Sequence, residues 1–392
     1  MIIRLTSTLP SLSLAQQRVL LRADLNVQLS ILKTYDYRLR AILPTLDLIL
    51  KKGGKIILTT HIGRPKGYDQ ALSTQHLIPW FTAKGYTIDF ARDLEQAHKK
   101  SFENKKAIVL VENLRFFPGE KSQDPTFAKN LAALGDMYVN DAFALIHRAD
   151  TSVTLVPQLF APEKRTIGLL MEKELHELSK LVDTPAQPFV LMCGGGKVTD
   201  KIPLIAHLLE KTNMLMLCPA IVFTFLKVQG KKVGKSLVDD GAQAVCREIL
   251  ATAAQRGVKI IWPVDYQVAD KTFDGPLSLV DANQFPQDGV GVSIGPKTAA
   301  LFGAEIRRAK TIFYNGTMGT PLRPETLQGF KEILLAMGNS AGFSVIGGGD
   351  SVAAAQLLGL ADRVSYLSTG GGATLAYLSG QQLPGLAIFI NA

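Results

Sequence analysis

Cysteine is scarce in this chain: Cys193, Cys218 and Cys246 are far apart and odd in number. They show no CxxC or Cys/His spacing, which excludes a zinc-binding pattern and points to reduced, mostly buried thiols of a cytosolic protein. Long apolar runs are missing as well. The longest, Leu215–Leu226, is interrupted by Pro219 and too short to span a bilayer. The N-terminal MIIRLTSTLP lacks the apolar core of a signal peptide. A soluble, intracellular, cytoplasmic protein is expected, with no membrane partner. Nor is there a dense basic run or a basic stretch interleaved with aromatics, although the net charge is +9 and the pI about 9.3. Scattered Lys and Arg suit an anionic metabolite at least as well as nucleic acid, and no nucleic-acid partner is expected. Fixed-period repeats and low-complexity segments are absent too.

What is present is ordinary globular composition, 47% hydrophobic and 20% charged over 392 residues, enough for two or three domains. One grammar recurs: a short apolar run ends abruptly in Gly, Asp, Asn, Arg or His, and a helix-like stretch follows. The first half has Val19–Leu21, Ile56–Thr60, Ile108–Val111 and Met137–Val139. The second has Phe189–Met192, Met214–Leu217, Lys259–Trp262, Thr311–Phe313, Ser344–Ile346 and Val364–Leu367. Strands buried on both faces and alternating with helices predict parallel α/β sheets. Ligands in such sheets sit at the carboxyl ends of the strands, so the residues just after each run are the informative ones. A boundary is plausible near Leu169–Pro188, where Leu169, Leu170, Leu175, Leu178 and Leu181 have helical spacing. That segment reads equally as a surface helix or as a helix connecting two lobes.

In the first half the strand ends carry cations. RADLN supplies Arg22, Asp24 and Asn26, DYRLR supplies Arg38 and Arg40, and HIGRPKG supplies His61 and Arg64. ENLRF adds Arg115, and NDAFALIHRAD adds His147 and Arg148. Guanidinium forks match carboxylate and phosphate, so several at successive strand ends predict a pocket for a small polyanion. His61 and His147 serve that reading or a purely structural one equally well.

In the second half the strand ends carry glycines. CGGGKVTDK places Gly194–Gly196 before Lys197 and Lys201, four apart and on one helix face, without the spacing of a Walker A loop. YNGTMG contains Asn315, VIGGGDS contains Gly347, Gly348, Gly349, Asp350 and Ser351, and STGGGAT contains Gly370, Gly371 and Gly372. Glycines ahead of a helix N-terminus suit phosphate oxygens, and Asp350 is a hard oxygen ligand for Mg2+. Taken alone, VIGGGDS is also readable as a tight turn in which Asp350 and Ser351 cap the helix. Together the glycine turns predict a phosphate-chain and metal site, and the two halves predict phosphoryl transfer by alignment and charge neutralisation.

The chain resembles phosphoglycerate kinase along nearly its whole length. RADLN, DYRLRAILPTL, HIGRPKG, ENLRF, VNDAF with HRA, GLLMEKEL, GGGKVTDKI, TFLKVQG, GKSLV, PVD, IGPKT, NGTMG, IGGGDS, STGGGAT and LPG carry the resemblance, in the family's order and spacing. It implies two Rossmann-like lobes with parallel sheets joined by a connecting helix: 1–168 binding the triose with the tail 376–392 returning to it, 169–187 connecting, and 188–375 binding the nucleotide. It also implies a monomeric phosphotransferase with a carboxyl acceptor, acting on 3-phosphoglycerate or 1,3-bisphosphoglycerate with ATP or ADP and Mg2+. The lobes are expected to close by a hinge so that water is excluded. Asp24, Asn26, Arg38, His61, Arg64, Arg115 and Arg148 match the triose positions. Lys197, Lys201, Asn315, Gly347–Ser351 and Gly370–Gly372 match the nucleotide positions, with Asp350 for the metal. Arg38, Lys197, Gly349 and Gly372 form the implied catalytic set.

Departures cluster around the nucleotide. Leu322 in NGTMGTPL occupies the position of a ribose-contacting glutamate, and Cys218-Pro219-Ala220 replaces a glycine-rich turn that lines the base pocket. In the triose half, Ala144-Leu145-Ile146 stands for Gly-Thr-Ala, Gln28 for Pro, and Asp150 where histidine is common. These departures leave open a non-catalytic or altered-specificity paralogue that binds triose phosphate or a partner.

Overall fold

The computed structural model describes residues 7–32, 36–103, 107–196 and 198–390. The chain divides into two compact units: one holds the described residues of 2–176 with those of 382–392, the other holds 177–381.

The first unit is built on a six-stranded sheet with β1 (Arg18–Ala23), β2 (Lys55–Thr59), β3 (Ile88–Ala91), β4 (Ile108–Val111), β5 (Met137–Asp141) and β6 (Arg165–Ile167) in the order β3-β4-β2-β1-β5-β6. Every neighbouring pair is parallel. β4 and β5 are buried along their whole length, as strands covered on both faces must be. Helix Tyr37–Lys51 buries Leu39, Ile42, Leu46 and Ile49 at helical spacing. The final residues close this unit: Gly385 N donates to Ile146 O at 2.9 Å, Asn140 Nδ2 donates to Gly385 O at 3.2 Å, and the Phe389 ring stacks on Tyr138.

The second unit holds another six-stranded parallel sheet, with β7 (Phe189–Gly195), β8 (Met214–Ala220), β9 (Lys259–Ile261), β13 (Thr311–Asn315), β14 (Phe343–Gly347) and β15 (Tyr366–Ser368) in the order β15-β14-β13-β7-β8-β9. Between β9 and β13 the chain makes an antiparallel sheet of β10 (Asp265–Asp270), β11 (Leu277–Asp281) and β12 (Gly289–Ile294) in the order β11-β10-β12.

Each apolar run picked out in the sequence forms a strand, with shifted ends: Thr60, Trp262, Val364 and Ser365 fall outside. Five strands lack such a run. β3 and β6 are short and carry polar residues, and β11 is largely open to solvent, so its residues need not be apolar. Helix Gly372–Leu378 packs on helix Val198–Leu208 within the second unit, and the residues from 382 onward group with the first.

Helix Leu169–Val182 carries the chain from the first unit into the second, and its first turn is pinned by buried polar groups. Leu169 N donates to Thr45 Oγ1 at 3.0 Å, Met171 N to Asp141 Oδ1 at 2.8 Å, and Thr45 Oγ1 to Asp141 Oδ2 at 2.5 Å. Burial pushes the Asp141 carboxyl up to about 7 despite these donors. Any side chain at Gly168 would overlap that carboxyl. Among the described residues no helix is long and apolar enough to cross a membrane.

Candidate active site

In the first unit the strand ends are tied together by polar side chains. Asp24, just past β1, accepts from Asn26 N at 3.1 Å and pairs with Arg38. Asn26 Oδ1 accepts from Gly63 N at 2.8 Å, and Arg115 Nη1 donates to Gly63 O. Arg115 N is in turn held by Asn113 Oδ1 at 3.1 Å, after β4. Arg38 Nε donates to the Tyr37 hydroxyl at 3.0 Å. Asp24, Asn26, Arg38 and Arg115 are thus joined through the loop that follows β2.

Arg64, Pro65, Arg115, Lys121, Arg148, Ala149 and Asp150 line an open pocket of about 560 Å3. Arg64 is exposed, and Arg148 is half-buried with its Nε 3.3 Å from His147 Nε2. The Arg115 side chain is only 5% exposed, yet its Nε and Nη2 have no hydrogen-bond partner among the described residues. A guanidinium stays cationic even when buried, so two unspent donors beside this pocket call for an anion.

His61, just past β2, is buried. Burial, followed by the guanidinium groups of Arg22, Arg115, Arg38 and Arg148, pushes its pKa well below the ordinary 6.5, so the ring is neutral. Beside it lies a buried network of which only Arg22 was among the strand-end cations read from the sequence. Arg22 Nε donates to Ser152 Oγ at 2.7 Å, and its Nη2 pairs with Glu120 Oε1 at 3.4 Å. Glu120 accepts from Ser152 N at 3.0 Å and Ser152 Oγ at 2.7 Å. Burial still raises the Glu120 pKa, against the pull of Arg22 and Ser152. Arg22 was visible as the first polar residue of RADLN. Nothing in PGE marks Glu120 as buried, and Lys121 reads as a surface charge.

In the second unit the strand ends meet backbone to backbone. A Cβ at Gly316 would overlap Gly194 O, and Gly316 has φ +91°. Lys201, in the first turn of helix Val198–Leu208, is buried against this crossing, its Nζ 3.6 Å from the Cβ position of Gly195. Asn315 Nδ2 donates to Gly347 O at 2.8 Å, linking β13 to β14. Gly348, with φ +105°, precedes helix Gly349–Leu357. Ser351 Oγ accepts from Gly316 N at 3.1 Å, so its hydroxyl braces the neighbouring loop. The N-cap is Gly348, not Asp350 or Ser351, because both of these already lie within the helix. Gly370 N donates to Ser368 Oγ at 3.3 Å, and Gly371, with φ +53°, precedes helix Gly372–Leu378. Among the described residues nothing lies within 4 Å of a Cβ built at Gly349 or Gly371. Lys197 lies outside the described residues.

Asp350 is exposed in the first turn of helix Gly349–Leu357. Among the described residues no three His, Cys, Asp or Glu side chains gather into a metal site. A lone, accessible carboxylate beside an open glycine turn fits Mg2+ that arrives with phosphate oxygens as most of its ligands. Of the departures, Leu322 is 96% exposed, while Cys218 is buried in β8, whose Ala220 pairs with Gly195.

The family model described as phosphoglycerate kinase matches residues 9–381. The phosphoglycerate kinase of Dictyoglomus turgidum is 40% identical over 379 residues, covering 95% of either chain. The cytosolic phosphoglycerate kinase of Triticum aestivum is 39% identical over 393 residues, covering 98% of either chain. Among solved structures, the phosphoglycerate kinase of Coxiella burnetii has a TM-score of 0.85 at 32% identity, with 98% of each chain covered. That of Pyrococcus horikoshii OT3 has a TM-score of 0.84 at 26% identity, covering 97% of this chain and 98% of that one. Two parallel sheets, one with arginines and the other with glycine turns at its strand ends, define the class as an α/β phosphotransferase. The chain belongs to the phosphoglycerate kinase family.

Proposed function

We infer that the protein catalyses the reversible transfer of the acyl phosphate of 1,3-bisphosphoglycerate to ADP, giving 3-phosphoglycerate and ATP. Family membership over residues 9–381 supports the reaction. The observation that carries the substrate side is Arg115, whose buried, unspent Nε and Nη2 stand beside a pocket shared with Arg64 and Arg148. Convergent guanidinium groups suit the phosphate ester of a triose. Asp24 and Asn26 hold the surrounding loops in place, and neutral His61 offers a hydrogen bond without adding charge. Arg38, kept in place by Asp24 and Tyr37, is assigned to the transferring phosphoryl group.

In the second unit Lys201, Asn315, Gly347–Gly349, Ser351 and Gly370–Gly372 are assigned to the nucleotide. The turns at Gly349 and Gly372 would direct backbone N–H groups at phosphate oxygens, and Lys201 would neutralise them. Lys197 is assigned by its place in GGGKVTDK alone, as the lysine that follows the phosphoryl group. Asp350 would hold Mg2+ that arrives with the nucleotide, and the ion would supply positive charge against the phosphate oxygens. No side chain need form a covalent intermediate, because such transfer rests on positioning and charge neutralisation. A cytoplasmic location is proposed, in keeping with the wheat relative named as cytosolic.

A coupled assay with 3-phosphoglycerate and MgATP tests this reading. Turnover is expected; none with ATP, GTP or any other nucleoside triphosphate at saturation would defeat it.

A further inference from the structure

The anion pocket of the first unit contains an acid. Asp150 is 3% exposed, and its two oxygens have different surroundings. Oδ1 is held by Lys121 Nζ at 2.6 Å. Among the described residues Oδ2 has no hydrogen-bond partner; it is buried and lies 4.0 Å from Arg115 Nη2, which is likewise buried and without a hydrogen bond. Two opposite charges therefore face each other just beyond hydrogen-bonding distance, each with unspent capacity. The backbone here is fixed, since Asp150 O accepts from Val153 N at 2.9 Å and Thr154 N at 3.0 Å. Only a small side-chain shift separates the observed state from an Asp150–Arg115 hydrogen bond. That bond would consume the donors Arg115 keeps for a ligand. Lys121, on the half-exposed rim of the pocket, holds the carboxylate on the other side.

We propose that Asp150 is a specificity-determining residue: its carboxylate competes with the phosphate ester of the triose for Arg115, and Lys121 sets the strength of that competition. The proposal rests on the reading of Arg64, Arg115 and Arg148 as the phosphate pocket. The competitor weakens retention of a phosphate monoester and favours its release. It also penalises ligands that cannot displace a carboxylate from Arg115, such as weaker monoanions.

Steady-state kinetics with 3-phosphoglycerate on the full chain, supported by calorimetric titration of the same ligand, test the proposal. Asp150→Asn is expected to lower KM about threefold or more, with kcat moving less than KM. Lys121→Met is expected to raise KM by a similar factor, because Asp150 is left with Arg115 as its nearest cation. In the Asp150→Asn background the Lys121→Met change should leave KM unmoved. An equal rise in both backgrounds would overturn the proposal, since Lys121 would then be contacting substrate directly. An unchanged KM in Asp150→Asn would overturn it as well. If Asp150→Asn fails to fold, Lys121→Met on the pocket rim still decides, since an unchanged KM there is incompatible with the proposal. Arg115→Gln separates the two levels: a KM unaffected by that change removes the phosphate-pocket reading itself, whereas a raised KM with silent Asp150 and Lys121 variants removes only the competition.

Discussion

Arg22 Nη2 lies 3.3 Å from His61 Nδ1, inside the first unit and away from solvent. Arginine has donors only, so Nδ1 must be the acceptor and the ring proton must sit on Nε2. The same contact disfavours a second proton on the ring, in line with the lowered pKa of His61. At pH 7, imidazole nitrogen resonances should report a neutral Nε2–H tautomer for His61. Its folded-state pKa lies below the unfolded value near 6.5. The unfolded chain therefore binds the proton first, and stability falls as pH drops below about 6.5. His61→Gln should remove part of that loss in urea melts between pH 7 and 5; an unchanged pH slope would refute the assignment.

Asp141 predicts the opposite sign. Its folded pKa of about 7 lies above the ordinary carboxyl value of 3.8. The folded state thus keeps a proton that the unfolded state releases, and the stability this confers is lost as pH rises towards 7. Asn at 141 offers a neutral amide that can accept from Met171 N and donate to Thr45 Oγ1. Asp141→Asn should stabilise at both pH 5 and pH 8, because the unfolded carboxyl is already ionised at pH 5, and the gain should be larger at pH 8 by on the order of 2 kcal/mol. Equal effects at both pH values, read from denaturant midpoints, would count against a protonated Asp141.

Gly316 tests the backbone crossing. A methyl group there would collide with Gly194 O at a residue of φ +91°. Gly316→Ala should cost about 2–4 kcal/mol or force the two loops apart. Thermal melting and calorimetric binding of MgADP should both register the change. A variant with wild-type melting and wild-type nucleotide affinity would show that the crossing is dispensable.

Leu322 tests the ribose departure. It is 96% exposed, so replacing it disturbs no packing. Leu322→Glu should leave stability within about 0.5 kcal/mol. It should tighten MgADP binding by about one to two decades, through hydrogen bonds worth ~1–3 kcal/mol. An unchanged Kd would mean that the sugar is not held at this position.

Much of the second unit's scaffold was legible because parallel strands covered on both faces leave continuous apolar runs. Phe189–Met192 and Thr311–Phe313 announce β7 and β13 in that way. β11 left no such trace, because exposure on an edge strand removes the demand for apolar residues. Ser351 was legible as a polar residue near a helix start, but not as the acceptor for Gly316 N, since that contact joins residues 35 apart in sequence.

Order and spacing along the chain were sufficient for the family, the alternation of strand and helix, and the clustering of arginines in one half and glycine turns in the other. These follow from local periodicity and from the rule that parallel strands present their carboxyl ends to ligands. Burial and distance were decided by tertiary packing alone. Glu120 and Lys121 are adjacent in sequence, yet one lies buried under Arg22 and the other stands at the pocket rim. In the sequence Asp150 reads only as a departure after HRA, without a partner. Only the fold brings its Oδ2 to 4.0 Å from Arg115 and its Oδ1 to Lys121. Coulombic and hydrogen-bond energies depend on such separations, which residue order does not contain.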